Sequence, residues 1–338
     1  MNLINRDGYV DFESIYPSSS VYTFITGARG TGKTYGILKY VIDHGLQFIL
    51  LRRTQKQIKM IKKPALNPFI SLENDGGEKY HADIKGWGED ISGIYLNGEK
   101  NPSGIMLPLT TISSLRGFDA SQSDVLIYDE FIPEAHEKAI ANEGGAFLNA
   151  IETIARNREL KGRKPLKVFC LANSNRLANP IYVELKIVNK VYKMIRDGKE
   201  ILTDASRDLT VIHLKETPIS RKKADTSLYR LAGEGSFADM ALENRFNEVD
   251  DSQIRHMRLQ EFRPLVAVGE LVIYRHKSKL MYYVTDHLSG HPPVYQASEI
   301  ELSRFRNDFY TLKLSHLNRH VFFEDYMLQI LFEQYVKL

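Results

Sequence analysis

Residues 27 to 34 read Gly27, Ala28, Arg29, Gly30, Thr31, Gly32, Lys33 and Thr34, the complete spacing of a phosphate-cradling loop. A phosphate chain needs many donors at close range. Glycines let successive backbone N–H groups converge without side-chain collision, and the start of the next helix adds more. In that arrangement Lys33 reaches the β and γ phosphates of a nucleotide, and the Thr34 hydroxyl holds magnesium. The plain alternative is a glycine-rich turn with a solvated lysine. Against it stands the context, since the apolar run "VYTFI" (21 to 25) precedes the loop and the helical pattern "YGILKYVIDHG" follows it.

Magnesium also needs a carboxylate held at a strand end, and "VLIYDEF" supplies Asp129 followed by Glu130. Asp129 is placed to accept from a magnesium-bound water, and Glu130, one residue further from the metal, to orient and polarise an attacking water. A P-loop kinase need not carry the second acid. The pair therefore points to ATP hydrolysis of the translocase or helicase kind, with ATP and Mg2+ as cofactors. A third apolar run, "VFCLANSNR", is tipped by Asn173 and Ser174, which either sense the γ phosphate or cap the following turn.

Charge developing on the γ phosphate is usually met by a cation. Arg156 and Arg158 lie in a helix followed by a basic loop, and Arg156 is the favoured finger, delivered from a neighbouring subunit. Arg29 inside the loop and Arg53 after the second apolar run are rivals able to act within one subunit.

These side chains need a scaffold. The runs "VYTFI", "QFILL" (47 to 51), "GIMLPL" (104 to 109), "DVLIYDE" (124 to 130) and "KVFCLAN" (167 to 173) are short and bounded by turn or polar residues, as in a largely parallel sheet. "AFLNAIETIARNREL" has helical spacing. The expectation is an α/β P-loop domain over residues 1–205, a linker or small hinge subdomain over 206–230, and a smaller α+β domain over 231–338. In the last, "GSFADMALENRF" reads as helix, "RPLVAVGELVIYRHKSKLMYYVTDH" as two β-rich runs forming a hairpin, and "HVFFEDYMLQILFEQYVKL" as an apolar-faced helix.

At 338 residues, 43% hydrophobic and 26% charged, the chain is long enough for two ordinary folded domains. No apolar run approaches a membrane span and the N-terminus lacks a signal-peptide core, so a cytosolic protein with no membrane partner is expected. The single Cys170 sits in an apolar run; it excludes an internal disulfide and argues against a Cys-rich zinc site. The net charge of +3 identifies no partner, but "LLRRTQKQIKMIKK" (50 to 63) carries no acid and "ARNRELKGRKPLK" (155 to 167) only Glu159. Such blocks can line a nucleic-acid backbone, as solvated helix faces can also produce them.

Taken together, "FITGARGTGKTYGILKYVIDHGLQFILLRR", "VLIYDEFIPE", "IETIARNRE" and "FCLANSNRLANPI" resemble the DNA-packaging ATPases of phi29-like phages, compact relatives of the large terminase subunit. The resemblance covers most of the N-terminal half and, more faintly, the rest. It implies an ASCE/terminase-type fold and a ring, commonly a homopentamer, docked transiently on the portal of a prohead in the host cytoplasm and absent from the mature virion. ATP hydrolysis then drives double-stranded DNA inward. Lys33, Thr34, Asp129, Glu130 and Arg156 match the family's functional positions, and Lys56 matches a basic residue implicated at the subunit boundary. Relatives dock through a prohead RNA, a partner that no motif here establishes.

The resemblance also implies an RNase H-like C-terminal domain. Its convenient acids, Glu270, Asp286, Glu324 and Asp325, depart from a nuclease pattern, so a non-cutting domain is expected. Arg275, His276, Lys277 and Lys279 are read either as contacts to DNA, RNA or portal, or as a solvated hairpin loop. A helicase-like or other nucleic-acid-dependent P-loop ATPase is the alternative, and a nucleotide-gated switch without turnover is a third.

Overall fold

The structure, a computed structural model, describes residues 2–88, 90–112, 120–134, 137–138, 140–173, 176–214, 217–219, 222, 226–232 and 251–337. The chain divides into two compact units, one of residues 1–185 with 194–247 and one of 186–193 with 248–338.

In the first unit the five apolar runs are strands β1 (Tyr22–Gly27), β2 (Phe48–Arg52), β5 (Gly104–Pro108), β6 (Val125–Asp129) and β7 (Lys167–Ala172). They join β3 (Ala82–Gly86), β4 (Ser92–Leu96), β8 (Ile201–Asp204) and β9 (Leu209–Leu214) in a nine-stranded sheet of order β3-β4-β5-β2-β6-β7-β1-β9-β8. The stretch from β5 to β9 is parallel, and antiparallel strands are added only at its two ends. Every residue of β2 and β6 is buried, which explains why these strands read as unbroken apolar runs rather than alternating ones.

β9 falls in the segment expected as linker or hinge. Its six residues "LTVIHL" are all buried and pair with β1 in the register Thr26 to His213. Burial on both faces draws this segment into the sheet.

Helices cover both faces. α2 (Lys33–Asp43) lays Ile37, Leu38 and Val41 against Ile25, Ile127 and Leu171, with Phe12 and Ile15 of α1 (Phe12–Ser18) beside them. On the other face Phe24, Tyr128 and Phe131 pack against Phe147 of the helix Glu143–Ala155 and against Tyr182. Each such buried side chain contributes about 1.5–3 kcal/mol of transfer free energy. α3 (Gln55–Ile61) starts on a capping box in which Thr54 accepts from Gln57 N and the Gln57 side chain accepts from Thr54 N. Because the central strands are parallel, Gly27, Arg52, Asp129 and Ala172 all end at one edge of the sheet. That edge is where an open α/β sheet presents its ligand crevice.

The second unit is built on a five-stranded sheet of order β13-β10-β11-β12-β14. β10 (Phe262–Val268), β11 (Leu271–His276) and β12 (Tyr282–Thr285) form an antiparallel meander, flanked by β13 (Val294–Tyr295) parallel to β10 and β14 (Val321–Phe323) parallel to β12. The stretch expected as a two-run hairpin thus holds three strands, because a turn at Gly269 and Glu270 splits its first run into β10 and β11. Gly269, at φ 53°, supplies the left-handed residue of the tight turn between β10 and β11. Helices Glu299–Asp308, Thr311–Leu317 and Tyr326–Val336 bury Phe305, Leu312 and Phe332 against the sheet. The last helix begins at Tyr326 because Val321–Phe323 pairs with β12 and Asp325 caps it through Leu328 N. The helix expected in "GSFADMALENRF" lies outside the described residues. No helix among the described residues is long and apolar enough to cross a membrane.

Candidate functional site

β1 ends at Gly27, and the loop that follows turns on two left-handed glycines, Gly30 at φ 75° and Gly32 at φ 82°. Gly32 is the N-cap of α2, and no side chain caps the helix there, so its first backbone N–H groups are presented to an anion. Neither glycine position tolerates change. A Cβ on Gly32 would lie 3.0 Å from the Tyr9 ring, in a conformation that L side chains rarely adopt. Lys33 is buried, and its Nζ donates to Gly27 O at 2.8 Å and Ala28 O at 2.9 Å. Thr31 Oγ1 donates to Ala28 O at 3.1 Å, which tightens the same turn.

The acids meet the loop across the sheet edge. Thr34 Oγ1 lies 3.0 Å from both carboxylate oxygens of Asp129, which is buried at the end of β6. The two side chains predicted from sequence to share magnesium are therefore adjacent, and a hydroxyl beside a carboxylate is a suitable oxygen donor set for that ion. Glu130 follows with a half-exposed side chain and a backbone φ of 59°. A non-glycine residue in this region carries local strain, which concentrates at functional positions.

Arg52 was visible in the sequence only as one member of a basic block. It closes β2, the neighbour of β6, and its guanidinium contacts Asp129 Oδ2 and Glu130 Oε2, each at 2.7 Å. The readable signal was positional: a basic residue ending one central strand faces the acids ending the next.

The remaining predicted cations separate clearly. Arg53 is fully buried and donates to both carboxylate oxygens of Glu143, at 2.6 and 2.9 Å, and to Glu137 at 2.8 Å. Burial alone would lower its pKa, but the bonds to Glu143 outweigh that and raise it. This placement engages the Arg53 fork with carboxylates of its own chain. Arg29 is half exposed and pairs with Glu134 in the loop after β6. Lys56 is exposed in the first turn of α3, on the site's edge of the sheet. Asn173 directly follows β7, beside the acidic strand end; Ser174 lies outside the described residues.

Arg158 is buried and donates through Nη1 to Ser123 O at 2.6 Å, with its pKa lowered by burial and by neighbouring Arg163. Ser123 stands just before β6. The turn after the helix Glu143–Ala155 is therefore anchored at the sheet edge opposite Asp129, separated by the five residues of β6, roughly 17 Å at the usual rise. Arg156, at φ 43°, belongs to this same turn.

Beside the loop lies a cleft of about 560 Å³ lined by Asn5, Asp7, Tyr9, Gly30, Gly32 and Tyr35, among others. In the second unit the four acids do not converge. Glu270 pairs with Lys186 at 2.7 Å, Asp325 is the helix cap, and only Asp286 and Glu324, with His287, place ligand atoms within 4.8 Å of one another. At the end of β11, His276 Nδ1 accepts from Ser278 N and Lys279 N and so stabilises the turn, while Lys277 Nζ donates to Gln260 O at 2.8 Å, just before β10.

Other proteins share part of this sequence and its fold. The DNA packaging protein of Bacillus phage B103 is 26% identical over 342 residues, covering 94% of this chain and 97% of the relative. That of Bacillus phage phi29 is 27% identical over 242 residues, covering 69% of this chain; the alignment spans 64% of the relative, less than two thirds of its length. Two solved structures share the fold over nearly the whole chain. The Phi-28 gp11 DNA packaging motor matches with TM-score 0.67 at 17% identity, covering 98% of each chain. The bacteriophage Phi-29 viral genome packaging motor assembly matches with TM-score 0.68 at 18% identity, covering 97% of this chain and 98% of that one. Residues 5–285 match the podovirus DNA encapsidation protein (Gp16), and this chain belongs to that family.

Proposed function

We propose that this chain is an ATP-driven translocase that packages double-stranded viral DNA through a portal, acting in a ring of its own copies. The observation that carries the reading is the cluster Thr34, Asp129, Arg52 and Glu130 at the sheet edge, adjoining the Lys33 loop. Family membership supplies the task. Backbone N–H groups of the loop and α2 hold the phosphates, and Lys33 exchanges its loop carbonyls for phosphate oxygens. Thr34 and, through a bound water, Asp129 would hold magnesium, which would neutralise charge on the transferring phosphoryl group. Glu130 orients the attacking water and accepts its proton. The cleft around Tyr9 and Tyr35 has the volume for the nucleoside.

Arg156 stabilises the developing charge in a neighbouring copy. The place of its turn at the sheet edge opposite Asp129 supports action in trans. The DNA is gripped through its phosphates, because a translocating motor must be indifferent to base identity. The second unit is read as an RNase H-like domain without nuclease activity. Its meander supports that reading, and so does the diversion of Glu270 and Asp325 into other contacts. Portal and, as in relatives, a prohead RNA are its proposed docking partners.

The test is Glu130→Gln in the full chain. Nucleotide binding persists and turnover is abolished; ordinary turnover would sink the role assigned to Glu130. A packaging assay with cognate proheads and protected DNA, run against a strand-unwinding assay, separates the translocase from a helicase.

A further inference from the structure

We infer that the tip of the β3–β4 hairpin, with the end of α3 beside it, holds the backbone of duplex DNA, Trp87 being its apolar contact and Lys62, Lys63 and Lys85 its cations. The assignment rests on the translocase reading above and supplies residues for the grip.

Trp87 is the chain's single tryptophan and is 44% exposed. A lone exposed apolar residue is ordinary on a surface, so the weight falls on how this one is held. Its ring lies on the backbone of Gly93 in β4, where an added Cβ would come within 2.5 Å of the indole. Its Nε1 donates to Tyr95 Oη at 3.0 Å, and Lys85 Nζ stands 4.8 Å from the centre of the Tyr95 ring. The indole N–H is thus satisfied inside the hairpin. What faces outward is apolar and already fixed in place, so it loses little freedom on binding.

The other cations come from a second element. Lys62, the C-cap of α3, brings Nζ to 4.0 Å from the position a Cβ on Gly86 would take, so the end of the helix abuts the hairpin tip. Lys59, Met60 and Lys63 are exposed around it. Among the described residues none of Lys59, Lys62, Lys63 and Lys85 makes an ion pair. These four outnumber Glu89 and Asp90, the two acids of the tip. A solvated helix face accounts for lysines alone, but not for a rigidly held indole among them. Uncompensated positive charge around an apolar side chain fits a polyanion whose phosphates are spaced by sugars.

Position favours the DNA that ATP hydrolysis moves. Ser92 of β4 pairs with Met106 of β5, and Pro108 of β5 with Arg52 of β2. The turn that precedes Ser92 therefore projects at the same sheet edge as the phosphate loop and the acids Asp129 and Glu130. A contact made of cations and one apolar ring reads no bases, as a translocating motor requires.

The experiment loads the full chain with an ATP analogue that resists hydrolysis and titrates it with a short end-labelled duplex, reading indole emission and label anisotropy together. The duplex quenches Trp87 over the concentrations at which anisotropy rises. Lys62→Ala and Lys63→Ala weaken binding equally for two unrelated sequences, and each lowers the slope of log affinity against log salt by about one. Trp87→Ala weakens binding by about tenfold without changing that slope, and Trp87→Phe recovers most of the loss. Melting curves accompany each variant; where Trp87→Ala unfolds, wild-type emission and the two lysine slopes decide. Rising anisotropy with unaltered emission and unaltered lysine slopes overturns the tip and leaves the translocase reading standing. Absence of any duplex binding overturns the tip and counts against the translocase reading itself. Quenching by a structured RNA or an acidic protein, but not by the duplex, overturns the assignment to DNA.

Discussion

Arg52 Nη1 stands 2.7 Å from Glu130 Oε2, while the other arm of the same guanidinium stands 2.7 Å from Asp129. One buried arginine thus sets the separation of the acid assigned to magnesium and the acid assigned to water. Arg52→Ala is expected to lower turnover by roughly a hundredfold, as Glu130 loses its orientation. It also strands a buried carboxylate, at a cost of about 3 kcal/mol in stability. Steady-state kinetics with a parallel denaturation curve check both; wild-type kcat would refute the orienting role.

Thr34 touches both oxygens of Asp129, so its hydroxyl and not its methyl is the useful part. Thr34→Ser should retain turnover. Thr34→Ala should raise the magnesium concentration for half-maximal rate by roughly tenfold, read from a magnesium titration at fixed ATP.

Arg53 is held by Glu143 and Glu137 inside its own chain. Arg53→Ala is therefore expected to behave as a folding defect of about 3–5 kcal/mol, visible as a lowered melting temperature. Mixing with Glu130→Gln chains should give no recovery, in contrast to Arg156→Ala. Recovery in that mixture would return Arg53 to the subunit seam.

Asp43 ends α2, the helix that begins at the phosphate loop. Burial pushes its pKa up, but hydrogen bonds from Lys39, Tyr80 and Lys79 prevail and hold it at about 2, below the ordinary 3.8. A carboxylate with a lowered folded pKa contributes stability above pH 4 and loses it as pH falls toward 2. Asp43→Asn is expected to cost roughly 1 kcal/mol at pH 7, allowing for solvent screening, and to flatten the acid limb of stability between pH 4 and 2. Equal acid limbs for the two proteins would contradict the assignment.

The turn from Gly27 to Thr34 was legible in the sequence because its spacing is local. Gly27 to Thr34 form one continuous turn, and short-range sterics dictate what such a turn can bind. The same holds for the five buried strand runs, whose unbroken apolarity is the direct mark of a sheet covered on both faces. Asp129 and Glu130 were readable for a related reason: a strand ending in acids announces itself.

Only the tertiary structure separates the arginines in space. Arg52 and Arg53 are adjacent in sequence, yet successive residues at a strand end point to opposite sides, one to the acids of the phosphate site and the other into the internal pair with Glu143. Arg156 and Arg158 are likewise two residues apart, and only the bond from Arg158 to Ser123 O shows that both lie at the far edge of the sheet. Glu143 is 90 residues from Arg53 and Glu134 is 105 from Arg29. Pairings across such distances follow from strand order, and strand order is a property of the folded sheet that no local pattern encodes.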